Sequence, residues 1–306
     1  MLSDFRIAVI GANGQLGTDL VSYLKRGEDI KIIPVYHSPS NLEGTYLDVS
    51  NQEQVKEFFK DCHPNIVINT AAFHKVDLCE EHPERAFEVN AFGAKNLAKS
   101  SRMYGSTLVH ISTDYVFDGN LGRPYSEEDI PNPVNAYGKS KLEGENLIKD
   151  TLGGENYFII RTQALYGLSK SSVKGTNFVE TILKSGKEKK LVKVVNDQIT
   201  NPTFTKDLAE GITSLIETER YGTYHLTNQG SCSWLDFARE IFRLENIDAE
   251  TVPVTTEEAA ILFDCKARRP LNTSLNTKKA SKLGINLRPW SKGLEEYLKY
   301  RKKNGI

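Results

Sequence analysis

A tyrosine and a lysine four residues apart can perform acid chemistry when a helix sets them on one face. This chain carries that spacing twice, as Tyr137 with Lys141 and as Tyr166 with Lys170. On a helix, residues i and i+4 share a face, so the ammonium would sit near the phenol. It would draw the phenol below its ordinary pKa of about 10. A tyrosine tuned in that way can give its proton to a carbonyl oxygen as hydride reaches the carbon. Tyr166 is followed by GLSKSS, which holds no helix, so nothing fixes Lys170 against it. Tyr137 opens YGKSKLEGENLIK, an amphipathic helical stretch, and the chemistry is assigned to Tyr137 and Lys141.

A third hydroxyl is expected where a strand ends beside them. HISTDYVFDG offers Ser112 and Thr113, although Ser-Thr-Asp is also a common turn or helix cap. Near the N-terminus, IAVIGANGQLG sets Gly11, Gly14 and Gly17 three apart between a strand and a helix. Such a turn lets backbone N–H groups approach a pyrophosphate at a helix N-terminus; the bland alternative is a glycine-rich turn with no ligand. The second strand ends in Val35-Tyr36-His37-Ser38, with no acid to bind a ribose 2′-hydroxyl. His37 and Ser38 could donate to a 2′-phosphate instead. The reading is NADPH, with NADH left open. Asp48 sits where it could bond an adenine edge, or serve only as a surface turn residue.

These groups need a frame. Arg6–Ile10, Lys31–Val35, Ile66–Asn69, Thr107–Ser112 and Tyr157–Arg161 read as buried strands, and Leu16–Lys25, Gln52–Lys60, Glu84–Arg102 and Asn135–Lys149 as helices between them. The alternation predicts an α/β fold, a doubly wound parallel Rossmann sheet. Pro34 fits only near a strand end. After Arg161 the pattern changes. Gly167–Gly175 reads as a loop, with helices at Asn177–Lys184, Thr205–Glu217, Ser233–Leu244 and Lys292–Arg301, and short strands near Leu191–Val195 and Thr223–Leu226. The expected division is a cofactor domain over 1–165 and a smaller C-terminal substrate-binding lobe over 166–306. Segments around 190–220 return to the first domain.

The bulk composition sets limits. The chain has 306 residues, 39% of them hydrophobic, and a net charge of −1. That balance suggests neither a nucleic-acid nor a membrane-surface partner. The basic run Lys299–Lys303 reads as a solvated helix end. Cys62, Cys79, Cys232 and Cys265 are scattered, which suits free thiols in a reducing cytoplasm better than a disulfide frame or a zinc site. No apolar run approaches the length of a membrane span, and no signal peptide is read.

Taken with GANGQLG, HISTDYVFDG and NPVNAYGKSKLEGE, the stretches NDQITNPT and ARRPLNTSLNT are the most specific. With them the chain resembles the dTDP-4-dehydrorhamnose reductases, a branch of the extended short-chain dehydrogenase/reductases, over most of residues 5 to 300. The resemblance implies that Gly11, Asn13, Gly14, Gln15, Leu16 and Gly17 cradle the pyrophosphate. Asp48 and Val49 would meet the adenine, and Ala71, Ala72 and Phe73 would line the cofactor. Thr113 (with Ser112 beside it), Tyr137 and Lys141 would form the catalytic set, Lys141 also holding the nicotinamide ribose. Lys75, Val76, Asp77, Tyr115, Asn177, Gln198 and Arg269 would face a nucleotide-sugar, dTDP-4-dehydro-L-rhamnose in that family. One departure stands out. The family usually reads Arg-Thr-Ser-Trp-Val-Tyr-Gly where this chain has Arg161-Thr-Gln-Ala164-Leu-Tyr-Gly167, so Ala164 replaces an indole that touches the sugar. Two other readings are an epimerase or dehydratase of the same fold, and a non-catalytic NADP-binding subunit like the methionine adenosyltransferase regulator. Dehydratases place Glu after Thr-Asp, where this chain has Tyr115. The family also forms dimers through a divalent cation, so a homodimer and Mg2+ at Glu295 and Glu296 are carried as expectations, with a solvated helix face as the alternative.

Overall fold

The computed structural model describes residues 5–27, 30–37, 44–167 and 177–303. Seven parallel strands form the central sheet: β1 (Arg6–Ile10), β2 (Lys31–Tyr36), β3 (Thr45–Tyr46), β4 (Ile66–Asn69), β5 (Thr107–Thr113), β6 (Tyr157–Thr162) and β7 (Gly222–His225). They lie in the order β7-β6-β5-β4-β1-β2-β3. The first half of the chain therefore builds outward from β1 in one direction and then returns to build in the other. The crevice where the order reverses, between β1 and β4, is where open α/β sheets bind ligands.

Five helices cover this sheet: α1 (Gln15–Leu24), α2 (Gln52–Cys62), α3 (Gly93–Tyr104), α4 (Ala136–Leu152) and α5 (Thr205–Glu217). One face packs Leu16, Leu20 and Leu24 of α1 and Leu208, Ile212 and Leu215 of α5 against Ile7, Val9, Ile68 and Ile160. The other packs Val55, Phe58 and Phe59 of α2, Leu97 of α3 and Ile148 of α4 against Ala8, Val67, Leu108 and Ile159. Burial on both faces explains the unbroken apolar runs, and the sheet is doubly wound. Pro34 is tolerated because β3 pairs only with Val35 and Tyr36, which leaves the start of β2 at an edge.

A separate apolar core joins the helices Phe178–Glu188, Trp234–Glu245 and Trp290–Lys303 to the strand Leu191–Val195. That strand pairs in parallel with Glu250–Val254, away from the main sheet. In the segment 190–220 it is α5 that packs on the sheet, and β7 follows it into the sheet beside β6. No helix among the described residues is long and apolar enough to cross a membrane.

One helix departs from expectation. The stretch read as continuous over Glu84–Arg102 is a short helix Pro83–Phe87, a single π turn Glu88–Phe92, and α3. The wider turn aims the buried Asn90 inward, where it accepts the Phe73 N–H (2.8 Å) and donates to the Phe73 carbonyl (3.0 Å) and Ser140 Oγ (3.0 Å).

Candidate active site

Asn135 starts α4, its side-chain oxygen accepting the Gly138 N–H at 2.8 Å, while its amide nitrogen reaches the Arg268 carbonyl at 2.9 Å. Glu80 takes the Ala136 N–H at 2.7 Å. These bonds seat Tyr137 in the first turn, close under the carboxyl end of β5. A side chain at Gly138 would put its Cβ 2.1 Å from the Tyr115 carbonyl oxygen, so only glycine lets α4 come this near.

Thr113 and Ser112, adjacent in sequence, face different partners, as alternating strand residues must. The Thr113 hydroxyl lies near enough to the Tyr137 phenol to favour its ionised form, and it donates to Asp114 Oδ1 at 3.1 Å. The Ser112 hydroxyl donates to Glu145 at 2.6 Å, and Glu145 is held by the Arg161 guanidinium at 2.6 and 2.9 Å. All three are buried. Ser112 therefore belongs to an internal ion pair, and Thr113 is the hydroxyl that reaches the phenol.

The expected contact between the Lys141 ammonium and the Tyr137 phenol is not the arrangement found. Lys141 Nζ donates to the Ile111 carbonyl at 2.7 Å and lies 3.0 Å from His110 Nε2. Burial moves the phenol pKa upward, against the pull of Thr113, so Tyr137 rests protonated in the form that can act as an acid. Burial also brings Lys141 down to about 8, with Glu145 opposing.

At the nucleotide end, α1 begins at Gly14 with no side-chain cap and no acid in its first turn. A Cβ on Gly17 would sit 2.1 Å from the Gly11 carbonyl oxygen, so the turn exists only with glycine there. Gln15 Nε2 is buried with no hydrogen-bond partner among the described residues. An uncapped helix end, an unspent buried donor and a close-packed glycine turn suit a pyrophosphate. Asn13, Leu16, Ala71, Ala72 and Phe73 lie in or beside the same turns. Asn69 orders the second by accepting the Ala71 N–H at 3.1 Å. Asp48 accepts both the N–H and hydroxyl of Ser50 at 2.9 and 2.7 Å, and its carboxylate is 4.0 Å from His37 Nε2. Burial alone would raise the Asp48 pKa, but Ser50, His37 and Arg85 together leave it lowered. Val49 is buried against Gly93. Ser38 and Lys170 lie outside the described residues, as does 168–175 of the expected loop.

Lys75 and Val76 begin the short helix Val76–Glu81, which presents Asp77. Asp77 binds the Arg269 guanidinium at 2.7 Å and accepts the N–H groups of Lys266 and Ala267. Arg269 also lies close enough to the Tyr115 hydroxyl to interact with it electrostatically, and the Tyr115 ring packs edge-on to Tyr137 with centroids 5.9 Å apart. Arg269 and Gln198 line a cavity of about 1220 Å³, walled by Phe178, Trp234 and Val194. Tyr137 is not in that wall; the chain Arg269–Tyr115–Tyr137 connects the two. Asn177 caps the helix Phe178–Glu188 and reaches Gly167 and Tyr297, so its amide is engaged in structure. Ala164 is half-buried at φ +47°, its carbonyl accepting the Thr203 N–H, and it is absent from the cavity wall.

Glu295 is paired with Lys292, and Glu296 with Lys206 and Arg288. Among the described residues no group of three or more His, Cys, Asp or Glu could hold a metal ion, so nothing supports the Mg2+ expectation. Sequence reading missed His110, Asn69 and Asn90. Their only signal was a polar residue inside a buried strand or helix, which is costly unless hydrogen-bonded.

Comparison with known proteins agrees with this geometry. The family model described as the RmlD substrate binding domain matches residues 5–302. A spore coat polysaccharide biosynthesis protein, SpsK of Bacillus subtilis, is 39% identical, the alignment covering 97% of this chain and 98% of that one. A dTDP-4-dehydrorhamnose reductase of Clostridium acetobutylicum is 42% identical with a TM-score of 0.88, over 97% of this chain and 99% of that one. The enzyme of the same name from Bacillus anthracis, solved in complex with NADP, is 39% identical with a TM-score of 0.88 and the same coverage. The sheet order, the Tyr137–Thr113 contact and the end-to-end match agree: the chain belongs to the dTDP-4-dehydrorhamnose reductase family of oxidoreductases.

Proposed function

We propose that this nucleotide-sugar reductase uses NADPH to reduce the 4-keto group of a nucleotide-linked deoxysugar, dTDP-4-dehydro-L-rhamnose giving dTDP-L-rhamnose. The observation that carries the reading is the half-buried, protonated Tyr137 phenol beside Thr113, packed on Tyr115, whose neighbour Arg269 lines a large cavity. The cofactor, when bound, supplies the hydride. Tyr137 gives its proton to the carbonyl oxygen, and Thr113 holds the phenol and the receiving oxygen in line. Gly11, Gly14, Gly17 and Gln15 would take the pyrophosphate, and His37 beside Asp48 would meet the adenosine end. Arg269 and Gln198 would face the nucleotide-sugar. Residues 1–165 with α5 and β7 would form the cofactor half, and most of the remaining chain the substrate half.

The dehydratase alternative is disfavoured by Tyr115, a residue without a carboxylate, where a dehydratase needs Glu. The regulatory alternative does not explain why Thr113, Tyr115 and Tyr137 are gathered at one place. The decisive experiment follows NADPH and NADH oxidation with a panel of 4-keto sugar nucleotides. Tyr137→Phe should lose turnover by roughly a hundredfold or more while still binding NADPH, because only the proton donor is removed. Turnover of Tyr137→Phe near the wild-type rate would overturn the assignment.

A further inference from the structure

Polar groups buried along β4, β5 and α4 form a chain whose direction can be read from its ends. Asn69 and His110 are opposite one another in the β4–β5 register, and both are buried, as is Lys141. The Ala71 N–H can only donate, so the Asn69 atom it meets at 3.1 Å is the amide oxygen. That places the Asn69 NH2 toward His110 Nδ1, 3.1 Å away, and Nδ1 must accept. Burial keeps the imidazole neutral, so its single proton is on Nε2. Nε2–H then points at Lys141 Nζ, 3.0 Å away. An ammonium offers no lone pair to a donor; a neutral amine does, and it can still donate to the Ile111 carbonyl.

We infer that His110, fixed by Asn69 as its Nε2–H tautomer, holds Lys141 in the ligand-free enzyme as a neutral amine turned away from Tyr137, and that cofactor binding draws one proton from solvent onto Lys141. The inference rests on the proposed cofactor reading only in its second half. The charged groups around Lys141 support it. Glu145, one turn along α4, is already neutralised by Arg161 from β6 and Lys149. Asp114 at the end of β5 acts on Tyr137 and is bonded by Thr113 and Thr273. Of these carboxylates only Glu145 still favours an ammonium, and burial outweighs it, lowering Lys141 to about 8, so the amine is neutral on the alkaline side of that value. The cofactor brings phosphates and ribose hydroxyls, which reverse that balance. His110 is thus a positioning residue for Lys141.

Two measurements test this on the full chain. Nitrogen NMR of the histidine-labelled, ligand-free protein, with His110 assigned by loss of its signals in His110→Gln, should show the Nε2–H tautomer near pH 9 and no imidazolium from pH 6 to 9. An Nδ1–H tautomer or an imidazolium would overturn the inference whatever the protein binds. Calorimetry of NADP+ binding near pH 9, in buffers of different ionisation enthalpy, should show uptake of up to about one proton. That uptake should fall in His110→Gln, whose side-chain oxygen can accept from an ammonium before the cofactor arrives, and vanish in Lys141→Met. Tight binding with no proton uptake in the wild type would sink the coupling. Absence of NADP+ binding would count against the proposed function instead, and the NMR result would still decide the state of His110.

Discussion

Two neighbouring hydroxyls show how one residue can belong to chemistry and the next to structure. Thr113 meets the phenol; Ser112 satisfies Glu145. Thr113→Val should therefore lower kcat by about tenfold or more, besides costing about 1 kcal/mol because Asp114 and the Tyr115 N–H lose a partner. Ser112→Ala should leave kcat nearly unchanged while costing about 1 kcal/mol, because a buried carboxylate oxygen loses its donor. Steady-state rates and denaturant midpoints on both variants separate the roles, and equal kinetic losses would return Ser112 to the catalytic set. Ala164 is the other residue at which identity matters. Its φ of +47° is costly for a large side chain, and the cavity wall lies elsewhere. If its position still touches the sugar, Ala164→Trp should lower KM for dTDP-4-dehydrorhamnose or exclude a bulkier 4-keto sugar. An unchanged KM across the panel would remove Ala164 from the substrate site.

Among the elements, α4 carries both Tyr137 and Lys141, and its position on the sheet depends on one buried ion pair. Glu145 from the middle of α4 is bonded twice by Arg161 of β6, and both are almost fully buried. Burial would raise the Glu145 pKa, but Arg161 and Ser112 leave it lowered. Removing one partner of such a pair strands the other charge in the interior. Arg161→Met should cost about 3–5 kcal/mol in urea or thermal unfolding, far more than a volume change would. A loss below about 1 kcal/mol, typical of an exposed pair, would show that the interior relaxes around Glu145. The π turn at Glu88–Phe92 acts at the same scale. It gives up a regular helix so that Asn90 can tie the Phe73 loop to Ser140 on α4.

Across the whole molecule, distant segments meet at the site. Thr273 bonds Asp114, Asn135 reaches Arg268, and Asp77 anchors residues 266–269. Burial raises Asp114 from 3.8 to about 7, against the hydroxyls of Thr273 and Thr113. The sign of its effect on stability follows. Between those values the folded chain holds a proton that the unfolded chain has released, so this group's contribution falls as pH rises from about 4 to about 7. The loss is up to roughly 4 kcal/mol. Asp114→Asn should flatten the melting temperature against pH over that window. A variant curve parallel to the wild type would show that Asp114 titrates normally.

The glycine turn, the strand–helix alternation and the helix that carries Tyr137 and Lys141 were legible in the sequence because each depends on local spacing: period-two or continuous apolar runs, a helix's four-residue repeat, and turns that only glycine can make. The same local logic failed at Glu250–Val254, where Pro253 and Glu250 disguise a strand, and at residues 84–102, where periodicity predicts one helix and Asn90 requires a π turn. Which groups face each other is decided by tertiary packing. Sequence places Lys141 one turn from Tyr137, but folding buries its amine against His110 and Ile111, on strand β5 across from α4. Sequence makes Ser112 and Thr113 equivalent; the pleat of β5 sends one to Glu145 and the other to Tyr137. Spacing along a chain fixes what is near within one element, whereas burial and partners across elements set each group's charge and direction.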